Sequence, residues 1–144
     1  MFASLLSCTT GSKTISYKVY EGGKRTKHIY KMKVPSGYKL LRWTGGHEDQ
    51  YEYWYPDSSV IYLTKDLGSS TINDENIRRQ EGAYAKRFLA FLGNDTITLE
   101  GANVVGLYWK EIKQKTICFG YARVTKEKKA VFDKALSTIK LRFK

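Results

Sequence analysis

Cysteine, histidine, proline and methionine each occur only twice in the 144 residues, and each scarcity closes off an explanation. Two cysteines, Cys8 and Cys118, allow at most one disulfide, so no disulfide scaffold is expected, and they lack the spacing of metal ligands. His28 and His47 are far apart in sequence. His47, Glu48 and Asp49 are consecutive, whereas a bound metal gathers its ligands from separated positions with defined geometry. Nothing beyond the amino terminus approaches the roughly 18 apolar residues of a membrane-spanning helix. There is no glycine-rich phosphate loop, no nucleophile elbow and no paired-histidine metal motif, and neither cysteine has a recognisable histidine partner. The sequence carries neither a catalytic motif nor a catalytic cluster. A non-enzymatic role without a cofactor or metal is the expectation.

What is present is ample for a folded domain. Apolar residues make up 42% of the chain and aromatics 14%, enough for a packed core. A chain of this length forms one ordinary domain and buries roughly two-thirds of its unfolded surface. Acids are the scarce charge. Twenty-five Lys and Arg face fourteen Asp and Glu, a formal charge of +11. That balance favours an acidic partner: nucleic acid, anionic lipid headgroups or a negatively charged protein face.

Leu5, Leu6, Ser7 and Cys8 resemble the end of a bacterial lipoprotein signal, in which the cysteine becomes lipidated and is left as the mature amino terminus. The apolar run before Cys8 is short and has no basic start, whereas a secretory signal has about 7 to 15 apolar residues after a charged one. The alternative is a buried first strand over residues 2–6 with Cys8 an ordinary thiol. On the first reading residues 1–12 are the remnant of a lipoprotein signal with a short spacer, and residues 13–144 are a single α+β domain. Any attachment to a membrane would then be through the lipid.

From Thr14 onward Ile15, Tyr17 and Val19 alternate with polar residues at the period of a half-buried strand. Gly22 and Gly23 follow, a strong two-residue hairpin signal because the turns that suit it need positive φ. That turn would place Val19 opposite Thr26, Tyr17 opposite His28 and Ile15 opposite Tyr30 on the core side. The outer side would then carry Lys18 opposite Lys27, flanked by Tyr20, Arg25, Lys31 and Lys33. Like charges across a strand pair are mildly destabilising, so this face is either well solvated or awaits an anion.

Further along, a proline-glycine turn at 34–38 leads to a strand over 38–44, a polar loop over 45–50, and a strand over 51–55 with Tyr51, Tyr53 and Tyr55 on one face. A turn through Pro56 and Asp57 precedes a strand at 60–64. His47, Glu48, Asp49 and Trp54 form a secondary candidate binding loop, since exposed aromatic faces beside acids can hold a glycan; core packing of the aromatics is the competing use. Helical character follows over about 72–92, with Thr71 or Asn73 as cap, Ile77 as anchor, an interruption at Gly82, and Phe88, Leu89, Phe91 and Leu92 in the second piece. A strand at 96–100, a loop at 101–106 and a hairpin of 107–113 with 116–124 come next. A turn at Gln114 and Lys115 would set Trp109 over Gly120. Thr125 would cap a last helix near 126–139 with Val131, Phe132, Ala135, Leu136 and Ile139 inward, and residues 140–144 alternate again. The sum is an α+β domain: one antiparallel sheet of about seven or eight strands packed with two helices.

The runs Val-Pro-Ser-Gly-Tyr at 34–38, Tyr-Pro-Asp at 55–57, Tyr-Trp-Lys-Glu-Ile at 108–112 with Gly120 and Tyr121, and Phe-Asp-Lys-Ala-Leu-Ser at 132–137 resemble small, uncharacterised bacterial envelope lipoproteins. More distantly the order is similar to the PsbP-type α/β/α sandwich. The likeness spans about residues 33–143 and implies a binding or adaptor domain that attaches to a larger assembly, without transferring a catalytic residue. The expectation is therefore a non-enzymatic binding or structural domain of the bacterial cell envelope, lipid-anchored through Cys8 and facing the periplasm. An acidic protein or envelope component would dock on Lys18, Arg25, Lys27, Lys31 and Lys33. The alternatives are a cytoplasmic single-stranded nucleic-acid binder, from lysines interleaved with aromatics, and a small-molecule enzyme of unknown chemistry.

Overall fold

The computed structural model describes residues 11–21, 24–45, 48–65, 72–93, 96–114 and 117–143. Within them lie nine strands and three helices, arranged as a single α+β domain with two antiparallel sheets. The expected single sheet is thus replaced by a pair. β1 (Ser12–Glu21), β2 (Lys24–Pro35) and β9 (Lys140–Phe143) form a three-stranded sheet with β2 in the middle. The other sheet has six strands: β3 (Lys39–Gly45), β4 (Glu48–Trp54), β5 (Val60–Thr64), β8 (Ile117–Val124), β7 (Tyr108–Gln114) and β6 (Ile97–Ala102), in that spatial order.

Burial explains why two sheets are needed. β5, Val-Ile-Tyr-Leu-Thr, is buried at every residue, and β8 at all but one. Strands apolar on both faces need cover on both faces. On one side Ile61, Leu63, Phe119 and Tyr121 pack with Ile15, Tyr17, Tyr30 and Met32 of the small sheet and with Phe132, Ala135 and Leu136 of helix α3 (Lys129–Ser137). On the other side Val60, Leu99, Trp109 and Ala122 meet Ile77 of α1 (Asp74–Arg79) and Ala83 of α2 (Ala83–Leu92). Each large apolar side chain so buried contributes on the order of 2 kcal/mol. Pro35 and Gly37, the latter at φ 93°, carry the chain out of the small sheet and into the large one.

The sequence patterns translate unevenly into registers. Glu21 pairs with Lys24 and Tyr20 with Arg25, as a two-residue connection requires, while Gly22 and Gly23 themselves lie outside the described residues. Beyond them the pairing shifts: Lys18 faces Ile29, Tyr17 faces Tyr30 and Ile15 faces Met32. The expected Lys18 to Lys27, Tyr17 to His28 and Ile15 to Tyr30 pairs are therefore corrected by a bulge in β2. Thr26 closes that bulge, its hydroxyl donating to the Val19 carbonyl at 2.8 Å and accepting from the His28 amide at 3.2 Å. The offset is an even number of residues, so inward and outward faces survive, and Lys18 is relieved of a like charge across the ladder.

Other expectations shift by less. β3 and β4 run almost to meet each other, so the loop at 45–50 shrinks to the two residues between Gly45 and Glu48. The β7 to β8 connection lies at 115–116, one residue later than expected, and a further irregularity follows near Trp109. Gly120 consequently pairs with Glu111 and not with Trp109; on the other side of β7, Trp109 pairs with Gly101 of β6, its indole nitrogen 3.2 Å from where a Cβ on Gly101 would stand. The idea of an indole over a glycine holds with a different glycine. Gly82, at φ 76°, separates α1 from α2. The last helix begins at Lys129 after a turn in which the Lys128 amide donates to the Thr125 carbonyl at 3.1 Å, so Thr125 starts the turn and does not cap the helix. Val131, expected inside, is exposed.

Candidate anion-binding face

Pairing fixes which residues share the outer face of the small sheet. Thr14 lies opposite Lys33, Ser16 opposite Lys31 and Lys18 opposite Ile29. On the far side of β2, Lys31 lies opposite Lys140 and Ile29 opposite Arg142. Since paired residues point the same way, Lys18, Lys31, Lys33, Lys140 and Arg142 all project from one face. The intervening residues, Tyr17, Tyr30, Met32 and Leu141, point inward to the core.

The composition of this face is one-sided. Its remaining positions with described side chains are Ser12, Thr14, Ser16, Ile29 and Pro35, so among these it carries no carboxylate; Tyr20 and Arg25 pair on the same side, with their side chains outside the described residues. None of its five cations belongs to an ion pair formed among the described residues; those pairs cluster elsewhere, around α1, α3 and β7. Ile29 is only 8% exposed although it points outward. Lys18 and Arg142 flank it on the two neighbouring strands, and long aliphatic stems of this kind cover apolar neighbours while holding their charged ends in water. An open cleft of about 360 Å³ runs along the β2 to β9 side, lined by Thr14, Lys31, Lys33, Thr138, Lys140 and Arg142. Thr138 fixes its floor: its hydroxyl accepts from the Lys33 amide at 2.8 Å and donates to the Ala135 carbonyl at 2.7 Å.

Of the five binding residues expected from sequence, Lys18, Lys31 and Lys33 come together here. Lys27 is exposed but lies in the bulge, no longer opposite Lys18, and the side chain of Arg25 lies outside the described residues, as does Cys8. Lys140 and Arg142 were not anticipated as part of the face. Their signal was the alternation Lys140, Leu141, Arg142, which repeats that of Lys31, Met32, Lys33, but the pairing that joins them spans more than a hundred residues of sequence.

The secondary candidate loop does not assemble. His47 and the side chains of Glu48 and Asp49 lie outside the described residues. Trp54 sits five residues beyond Asp49, about 17 Å along β4, and its indole N–H donates to Glu52 Oε1 at 2.8 Å while Arg123 lies over its ring. Tyr51, Tyr53 and Tyr55 share one face as expected, and all three are buried in the main core.

A second polar cluster, unanticipated, lies under the helices. Tyr62 donates to Glu111 Oε1 at 2.6 Å, and Asn73 Nδ2 donates to Tyr62 Oη at 2.9 Å and to the Tyr121 carbonyl at 3.1 Å. Asn73 therefore spends its side chain on the sheet rather than on capping α1. Arg87 of α2 lies 3.0 Å from Glu111 Oε2 and donates to Asp74 Oδ1 at 3.0 Å. Burial alone would lower the Arg87 pKa, but the Glu111 and Asp74 carboxylates raise it. Burial pushes the Tyr62 hydroxyl and the Cys118 thiol well up, with Glu111 adding to both. Tyr62 and Cys118 are sealed from solvent and the polar atoms bond one another, which makes this a clamp joining α1 and α2 to the sheet.

Among known protein families, curated proteins and solved structures, none matches this chain. No helix of the described residues is long and apolar enough to cross a membrane.

Proposed function

We propose that the protein is a non-enzymatic binding domain of the bacterial cell envelope that docks on a polyanionic partner through the outer face of its small sheet. One observation carries the reading: five cations project from one face that holds no carboxylate among its described residues. Assembling like charges side by side costs stability, and an anion removes that cost. The envelope assignment rests on Leu5, Leu6, Ser7 and Cys8, with the lipid carried by Cys8. A single-stranded nucleic acid offers the same phosphates, but its unpaired bases want exposed aromatic platforms. Of the rings interleaved with the lysines whose side chains are described, Tyr17 and Tyr30 face the core instead.

Retention on a sulfated polysaccharide matrix tests the site. Lys31→Glu with Lys140→Glu, and Lys86→Glu with Lys126→Glu as control, change net charge equally: each reversal removes two of the +11 charges. The first pair should elute at much lower salt than the second. Equal elution would reduce the basic face to a solubility feature. Labelling the full chain in cells with a fatty acid tests the anchor, and no label at Cys8 would remove it.

A further inference from the structure

We infer that the polyanion is a membrane: the outer face of the small sheet is built to lie against anionic lipid headgroups. This rests on the binding face proposed above, and two observations extend it.

The first is what the face lacks. Specific protein interfaces are organised around buried aromatic or apolar anchors with a polar rim. Among its described side chains this face exposes small hydroxyl residues and Lys18 from β1 and long cations from β2 and β9, and the one large apolar side chain among them, Ile29, is covered. Those side chains offer no anchor for a protein partner to grip. It suits a broad layer of delocalised negative charge, for which each basic side chain near the surface adds its attraction independently of shape.

The second is where the chain enters. The Ser36 amide donates to the Gly11 carbonyl at 2.7 Å, holding the start of β1 against the 34–38 turn at one end of this same sheet. Cys8 precedes Ser12 by four residues, a reach of at most about 14 Å. Lys33 pairs two residues into β1, and Lys31 with Lys140 four residues in, about 7 and 14 Å from Ser12 at strand spacing. A lipid on Cys8 would therefore hold the bilayer within reach of the basic row. Around the entry point Lys13, Lys33 and Lys134 are exposed, and the hollow beside it is lined by Ser12, Lys33, Val131 and Lys134 with no carboxylate. One acyl attachment combined with a polybasic surface is a stable two-signal arrangement.

The test uses the full chain with Cys8→Ser, so that only the sheet face can hold it, and sedimentation with vesicles of phosphatidylcholine alone or with phosphatidylglycerol. Binding is expected to the anionic vesicles only, to weaken with salt, and to fall about fivefold for each cation removed. Lys31→Glu with Lys140→Glu should lose it, while Lys86→Glu with Lys126→Glu keeps it. Retention on the polysaccharide matrix without binding to anionic vesicles would overturn the membrane inference and leave the binding face standing. Failure of both would overturn both. Vesicle binding unaffected by the Lys31 and Lys140 reversals would also overturn the inference, by placing the contact elsewhere.

Discussion

Gly120 lies in the middle of β8 between Tyr62 of β5 and Glu111 of β7, and replacing it by alanine is the sharpest test of the packing. A Cβ there would stand 2.0 Å from the Lys110 carbonyl oxygen, 2.8 Å from Tyr62 Oη and 3.0 Å from the Glu111 Cα. Two of the three neighbours are backbone of β7, so no side-chain rotation relieves the clash; β7 and β8 must move apart. Overpacking of a tight core costs about 1 to 3 kcal/mol. The movement also pulls Glu111 from Tyr62, and leaving a buried polar group unsatisfied adds about 1 to 3 kcal/mol. Gly120→Ala is therefore expected to lose about 2 to 6 kcal/mol in urea unfolding followed by circular dichroism. Tyr62→Phe alone should cost about 1 to 3 kcal/mol, because Asn73 and Glu111 each lose a partner. The double variant should cost less than the sum, since removing Oη opens part of the space, yet remain worse than Tyr62→Phe because the Lys110 oxygen stays. A Gly120→Ala loss below about 1 kcal/mol would refute the close approach.

Arg87→Met should destabilise by about 3 to 5 kcal/mol, because Glu111, 3% exposed, is left with its charge uncompensated. Adding Glu111→Gln should recover part of that loss, and thermal melts showing no recovery would contradict the clamp. Asp57 gives a pH signature. Burial would raise its carboxyl, but the Lys128 ammonium and the Ser59 hydroxyl and amide outweigh that and hold it at about 2. The folded value lies below the unfolded one, so the stabilisation is present above about pH 4 and lost as pH falls through about 2. Because Lys128 is half exposed, solvent screening limits it to about 1 kcal/mol. Asp57→Asn should be less stable than the parent at pH 5 with the gap closing toward pH 2; an equal gap at both would contradict it.

Strands were legible wherever alternation was strong. Ile15, Tyr17 and Val19, and Tyr51, Tyr53 and Tyr55, lie inside as their spacing requires, and the unbroken apolar run of β5 marks a strand covered on both faces. Registers were less legible, because a bulge adds residues without altering alternation. The Thr26 bulge moved Lys18 from Lys27 to Ile29 by an even number of residues, so Lys18, Lys31 and Lys33 kept their common side while the pairing of Lys18 changed. The division into two sheets was hidden because Pro35 and Gly37 signal a turn without saying where it leads. α2 was hardest: its large apolar residues Phe88, Leu89 and Leu92 are exposed, while Ala83, Ala90 and the stem of Arg87 face the sheet. A ten-residue helix on an outer layer needs only one narrow buried stripe, and composition does not say which. The face itself was half legible, since Lys140 and Arg142 join it only through long-range pairing with β2.

Lysine footprinting on native envelope membranes tests the binding face most directly. The full chain, expressed in its own membrane, is acetylated briefly before and after extraction, and modification at each lysine is read by mass spectrometry. Lys31, Lys33 and Lys140 should be protected in the membrane and become reactive on extraction, while Lys86 and Lys126, exposed on other parts of the domain, should react equally in both. Uniform reactivity, or protection at Lys86 and Lys126 with Lys31, Lys33 and Lys140 free, would contradict a partner on the outer face of the small sheet.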